Sequence, residues 1–176
     1  RKNVYNQSLV ADQIVLKGQT NATNWVKNMV ANVNQPFFGG DTSLIRAVGQ
    51  GKCAVGVVNH YYLARMQAGA SGKNDQQLTK SIKLIMPKPA HVNISAAGMA
   101  KSAKNKKEAI ALITYLTSSK GSSSIAGPTY EYPLNGFGTS SQLEAFGRFN
   151  PDNVSISKLG ESQKLAIQIM ANNGWR

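Results

Sequence analysis

Val57-Val58-Asn59-His60-Tyr61-Tyr62-Leu63-Ala64-Arg65 sets two tyrosines side by side at a change of structure. The apolar run from Cys53 to Val58 reads as a short buried strand. Tyr61 to Gly69 reads as the first turns of a helix, with Asn59 placed to cap it. In an open α/β sheet, ligands gather where strands hand over to helices. The helix dipole and unpaired N–H groups favour negative charge there. A phenol has a pKa of roughly 10 in water, so a tyrosinate needs a strong partner. A hard trivalent cation supplies one, because a bound metal can deprotonate its ligand. Beside this stands a plainer reading, in which paired aromatics after a strand simply pack core and rim.

The start of the chain tips the balance. Asn3-Val4-Tyr5-Asn6-Gln7-Ser8-Leu9 is again a polar loop carrying one tyrosine ahead of an apolar-periodic segment. Further motifs follow in order: Gly39-Gly40-Asp41-Thr42 leading into Ile45-Arg46-Ala47-Val48, then Gly51-Lys52-Cys53, and Asn59-His60-Tyr61-Tyr62. After these come His91-Val92-Asn93-Ile94-Ser95, Tyr130-Glu131-Tyr132-Pro133-Leu134-Asn135 and the closing Asn173-Gly174-Trp175. In this order and spacing the chain resembles the periplasmic ferric-iron-binding proteins of bacterial and cyanobacterial ABC importers, the cyanobacterial type more closely.

The resemblance implies an α/β fold: a type II periplasmic-binding-protein-like lobe with a mostly parallel central sheet flanked by helices. It implies that Tyr61, Tyr62 and Tyr5 are metal ligands for Fe(3+), with Fe(2+) captured and then oxidised as the alternative state. Arg65 lies one helical turn past Tyr61, where it would hold a phenolate or offset negative charge. Asn59 and Asp41 would sit at a cleft edge, bonding the ligands or a bound anion; a helix-capping role suits each equally. Three phenolates cancel the charge of ferric iron, and oxygen-only ligation suits a hard ion. A first lobe, water or an anion would complete six donors. The partners implied are the iron ion and an ABC transporter membrane permease, with the protein monomeric and periplasmic, associated with the membrane through the importer. Lobe closure over the ion would be a hinge motion.

With 176 residues the chain can bury one sizeable core. Relatives in this family are nearly twice as long, so residues 1–176 read as the C-terminal portion: the second lobe plus a C-terminal helical segment that contacts the first. No apolar run approaches the roughly 18 residues of a membrane span. The lone cysteine, Cys53, reads as a small core residue.

Charge pulls elsewhere. Twenty Lys and Arg against eight Asp and Glu give a net charge of +12, and from Lys73 to Lys107 only Asp75 opposes the lysines. A basic nucleic-acid-binding domain is the alternative this raises. That stretch has no aromatic side chain to stack on a base and no helix-turn-helix pattern, so a solvated basic face fits better.

Periodicity predicts helices over Ser8–Lys17, stopped at Gly18, and over Thr23–Val33, stopped before Pro36. Further helices are predicted over Thr42–Gly49 with Asp41 as cap, after Asn105 to about Ser119, and over Glu161–Asn172. Ile82–Met86 and Val92–Ile94 read as strands, Gly69–Gln77 as a surface loop, and Thr129–Asn135 as extended.

Catalytic motifs are absent from the sequence. There is no His-Glu-x-x-His, Cys-x-x-Cys, P-loop or G-x-S-x-G pattern, and Ser8 and Ser95 lack a neighbouring base pattern. His60 and His91 read as structural, or as supports for the ligands, and Tyr130 and Tyr132 as packing residues. Binding is therefore favoured over catalysis. Within binding functions, a solute-binding protein for a small anion or organic cation is the competing assignment.

Overall fold

The computed structural model describes residues 3–134 and 139–176. The described chain divides into two compact units, each discontinuous in sequence. The first takes residues 1–40, 86–93 and 149–176, and the second takes 41–85 and 94–148.

The first unit is organised by α1 (Val4–Ala31) packing on α8 (Ile156–Asn172). Asn3 starts α1 by accepting a hydrogen bond from the N–H of Asn6, and Ser155 does the same for α8 through Lys158 N–H. Gly18 breaks α1 at φ 78°, ψ 162°, a conformation that costs a glycine little, so the predicted stop is a break between two helical stretches. Val10, Ala11, Val26, Ala166, Ile169, Met170 and Trp175 form the core, and Trp25 stacks on Trp175 at 5.7 Å. Gly174, at φ 76°, turns the chain off α8 so that Trp175 N–H reaches Met170 O and its ring closes this core.

In the second unit, α2 (Asp41–Gly49), α3 (His60–Gln67) and α4 (Lys73–Thr79) pack around Ile45, Leu63 and Met66. Tyr62, Val58, Ile82, Leu84 and Phe146 lean on them. The helix α4 lies where the sequence predicts a loop. Arg46 grips Asp75 with two 2.8 Å bonds, and Thr79 Oγ1 bonds Asp75 O, so tertiary contacts fold a polar stretch of weak intrinsic preference. The remaining helices are α5 (Lys106–Thr117), α6 (Ser119–Thr129) and α7 (Ser141–Phe146). Ser118 and Ser140 cap the last two, and neither helix has an apolar period strong enough to read from sequence. At Gly121 a Cβ would collide with the Tyr115 carbonyl, which is how α6 starts so close to the end of α5.

The predicted parallel sheet is not found among the described residues, where the strand-like contacts reduce to one isolated parallel bridge, Ala90 to Pro151. Residues 53–58, 82–86 and 92–94 form no ladder. The segment read as a buried strand instead exposes Val55 (77%) and Val57 (46%). A strand is fixed by a neighbour that pairs its N–H and C=O groups in register, and these segments are not joined in such a ladder among the described residues. The predicted extended run 129–135 also differs. Thr129 ends α6 and Tyr130 turns left-handed at φ 59°, while Asn135 falls outside the described residues. Among the described residues, no helix is long and apolar enough to cross a membrane.

Candidate functional site

Tyr61 and Tyr62 occupy the first turn of α3. Both are half-buried, with ring centroids 4.4 Å apart and planes inclined by 30°. The Tyr62 ring rests on the Ile45–Leu63–Met66 core, so the packing reading holds in part for this residue. The Arg65 guanidinium lies 5.9 Å from the Tyr61 centroid and 5.8 Å from that of Tyr62. A cation over both ring faces offsets negative charge on either phenol.

Asn59 stands at the N-cap position of α3, yet its side chain makes no capping bond. Its Nδ2 and its backbone N–H donate to Asp41 Oδ2 at 3.0 and 3.3 Å. Asp41 is itself almost buried in the first turn of α2, and one carboxylate therefore ties the two helix starts together. Asn59 thus holds the N-cap position without the side-chain cap bond, its Nδ2 being turned to Asp41.

His60 carries its ring 6.0 Å from Tyr61, edge-on, and 5.1 Å from Tyr132. Burial lowers the pKa of the imidazole, against an opposing hydrogen bond to the Tyr130 backbone, so the ring is neutral at pH 7. Tyr132 donates its hydroxyl to Gly147 O at 2.6 Å, and burial raises its pKa. That phenol is spent on structure, as the sequence suggests. Tyr115 is 47% exposed on α5.

Tyr5 lies in the other unit, half-buried in the first turn of α1. The sequence reads its surroundings as a loop; the Asn3 cap starts the helix earlier. Open depressions lie elsewhere. One of about 570 Å³ is lined by Arg46, Ser71, Gly72, Lys73, Asn74 and Asp75. Another of about 600 Å³ lies among Pro36, Phe37, Phe38, Gly39, Gly174 and Arg176. Neither includes a candidate tyrosine. An ion held by projecting phenolates needs no cavity of small-molecule size.

One constellation escaped sequence reasoning entirely. Ser8 Oγ and His91 Nε2, 83 residues apart in sequence, lie 3.0 Å from each other. His91 Nδ1 faces Asp12 and Asp152 at 3.8 and 3.7 Å. A nucleophilic triad needs the carboxylate within hydrogen-bond reach of the imidazole, and these distances exceed it. No spacing motif links residues so far apart, so nothing local in the sequence signals them.

The sequence profile of the family described as bacterial extracellular solute-binding protein matches residues 2–150. The chain is similar to iron uptake protein A1 of Synechocystis sp., 32% identical over 179 residues, covering 99% of this chain and 49% of that protein. It is also similar to the major ferric iron-binding protein of Neisseria meningitidis serogroup B, 28% identical over 153 residues, covering 85% of this chain and 45% of that one. Among solved structures, Trichodesmium IdiA (FutA), in complex with iron and citrate ligands, matches with a TM-score of 0.92 at 36% identity, over 99% of this chain and 56% of that one. The Bordetella ferric binding protein matches with a TM-score of 0.92 at 29% identity, over 99% and 57%. The chain spans about half the length of the curated relatives it matches. These relatives are named for iron uptake and ferric iron binding. With 149 of its 176 residues inside the matched range, the chain belongs to the bacterial extracellular solute-binding proteins.

Proposed function

We propose that this chain is the C-terminal portion, holding the second lobe, of a monomeric two-lobe periplasmic protein that binds ferric iron through tyrosinates and hands it to an ABC transporter permease. The observation that carries the reading is the Tyr61–Tyr62 pair, two half-buried phenols stacked 4.4 Å apart under one guanidinium. It is joined by the likeness to proteins whose names are those of iron uptake and ferric binding. Tyr5 enters as a third phenolate through the resemblance alone. Arg65 offsets the charge of the phenolates, while Asp41 and Asn59 fix the start of α3. Oxygen donors carrying negative charge select a hard trivalent ion over softer copper or zinc. Each phenol loses its proton on ligation, so iron uptake releases protons and weakens as pH falls.

Ferric iron on a phenolate absorbs visible light. Adding ferric citrate to the chain should raise a visible band that fades as free citrate is increased. A colourless protein that still retains iron would overturn tyrosinate ligation. A protein that takes up no ferric iron but binds a small anion would move the assignment to another solute.

A further inference from the structure

We propose that Asp12, His91 and Asp152 form a second metal site, in the first unit, for a small divalent cation of the zinc class. Asp12 lies on α1, His91 on the segment 86–93, and Asp152 just before α8. Backbone bonds hold the last two side by side: Ala90 N–H donates to Asn150 O at 2.8 Å and Asp152 N–H to Ala90 O at 3.0 Å. The three side chains are 2%, 8% and 7% exposed. Their inner atoms, Asp12 Oδ1, His91 Nδ1 and Asp152 Oδ2, lie within 4.8 Å of one another, and none has a hydrogen-bond partner among the described residues.

The outer atoms are all taken. Asp12 Oδ2 accepts from Gln13 Nε2 at 3.3 Å, and Asp152 Oδ1 accepts from Val154 N–H at 2.9 Å. His91 Nε2 pairs with Ser8 Oγ at 3.0 Å. These bonds orient each side chain from behind and leave its other polar atom pointing at a common centre. That is how protein ligands are held around a metal: the far nitrogen of a ligating histidine is bonded, and its near lone pair is left for the ion.

Electrostatics point the same way. Two carboxylates buried without a compensating partner are costly. A proton on His91 Nδ1 would meet them across 3.7 and 3.8 Å, too far for a hydrogen bond. A dication cancels both charges and satisfies all three atoms. Zinc bonds of about 2.1 Å place tetrahedral ligand atoms about 3.4 Å apart, so the two distances from His91 Nδ1 need shorten by only a few tenths of an ångström, and the carboxylates, within 4.8 Å of each other, draw together on the ion. A fourth position is left for water. One nitrogen and two carboxylate oxygens suit zinc and its first-row neighbours better than calcium.

The test uses ZnCl2 and the whole chain after stripping with a chelator. Bound zinc is measured by elemental analysis after desalting and by calorimetric titration. One equivalent should bind, raise the melting temperature and shift the His91 imidazole resonances. A Tyr61→Phe/Tyr62→Phe double variant should bind zinc as well as the unsubstituted chain. His91→Gln and Asp152→Asn should each weaken it by about a hundredfold or more. Loss of zinc in the tyrosine variant, or retention in both substitutions at the cluster, would overturn the site. Should both of those variants fail to fold, the imidazole resonances of the unsubstituted chain decide, and an unmoved His91 signal under excess zinc would refute the proposal.

Discussion

Tyr61 and Tyr62 stand half-exposed at the head of a short helix, whereas Asp12, His91 and Asp152 converge almost out of reach of water. The first cluster is made by two neighbours in sequence and one helical turn. The second is assembled from three separated segments and fixed from behind by Ser8, Gln13 and Val154. A hydroxyl removed from a half-buried ring leaves the ring packing in place, so what the phenols contribute is affinity. Buried carboxylates are tied to the packing around them, so what they contribute appears first as stability.

The largest effect separating the two clusters is expected at the phenols. Tyr61→Phe or Tyr62→Phe should lower ferric affinity by more than about a hundredfold, beyond what outer supports of a metal usually cost. Unfolding free energy should stay within about 0.5 kcal/mol. Citrate competition and urea melts measure the two quantities, and a stability loss without an affinity loss would make the pair a packing feature.

The buried cluster should behave in the opposite way. His91→Ala in metal-free protein should cost about 1–3 kcal/mol of stability, because the Ser8 hydroxyl loses its partner and a buried ring is removed from the packing. Ferric affinity in the same variant should move little. Urea unfolding with no change in midpoint would show that the cluster is better solvated than its burial implies.

Tyr132 sharpens the contrast within one residue type. Its hydroxyl is held by Gly147 O, so Tyr132→Phe should cost about 0.5–1.5 kcal/mol and leave the visible ferric band in place. Loss of that band would add Tyr132 to the ligands.

The smallest effects are those of pH. The folded His60 pKa lies below its ordinary value because the ring is buried. Its stabilising contribution is therefore full above the unfolded pKa, near 6.5, and declines as pH falls through the folded value. The Asp75 pKa is depressed by Arg46, so its contribution is lost lower still, as pH falls through the carboxylate range. Melting temperature followed from pH 8 to pH 3 should show both losses, and His60→Gln should remove the upper one alone.

Much of this was legible in the sequence and some was not. The amphipathic periods of α1, α2, α3 and α8 are strong, and the Gly18 break follows from a residue type with few alternatives. The helices α4, α6 and α7 were not, since their polar, glycine- and serine-rich sequences fold on tertiary contacts such as Arg46–Asp75 and on serine caps. Residues 53–58 have strand composition, but composition cannot say whether a partner lies alongside. The tyrosine pair was readable because its members are adjacent. The cluster of Asp12, His91 and Asp152 was not, since only the folded chain brings its three segments together.

The discontinuity of the first unit bears on how the protein is made. The apolar face of α1 has its partner in α8, with residues 32–155 between them. On a ribosome, that face emerges with residues 32–155 still to follow before α8 can cover it. The first unit therefore cannot complete its core before α8 has emerged, and its folding depends on contacts of high sequence separation, which form slowly. Joining the two ends of residues 1–176 and reopening them at the exposed Gly51 would make α1 and α8 neighbours in sequence. Such a circular permutant should refold faster than residues 1–176 in their present order while reaching the same native packing.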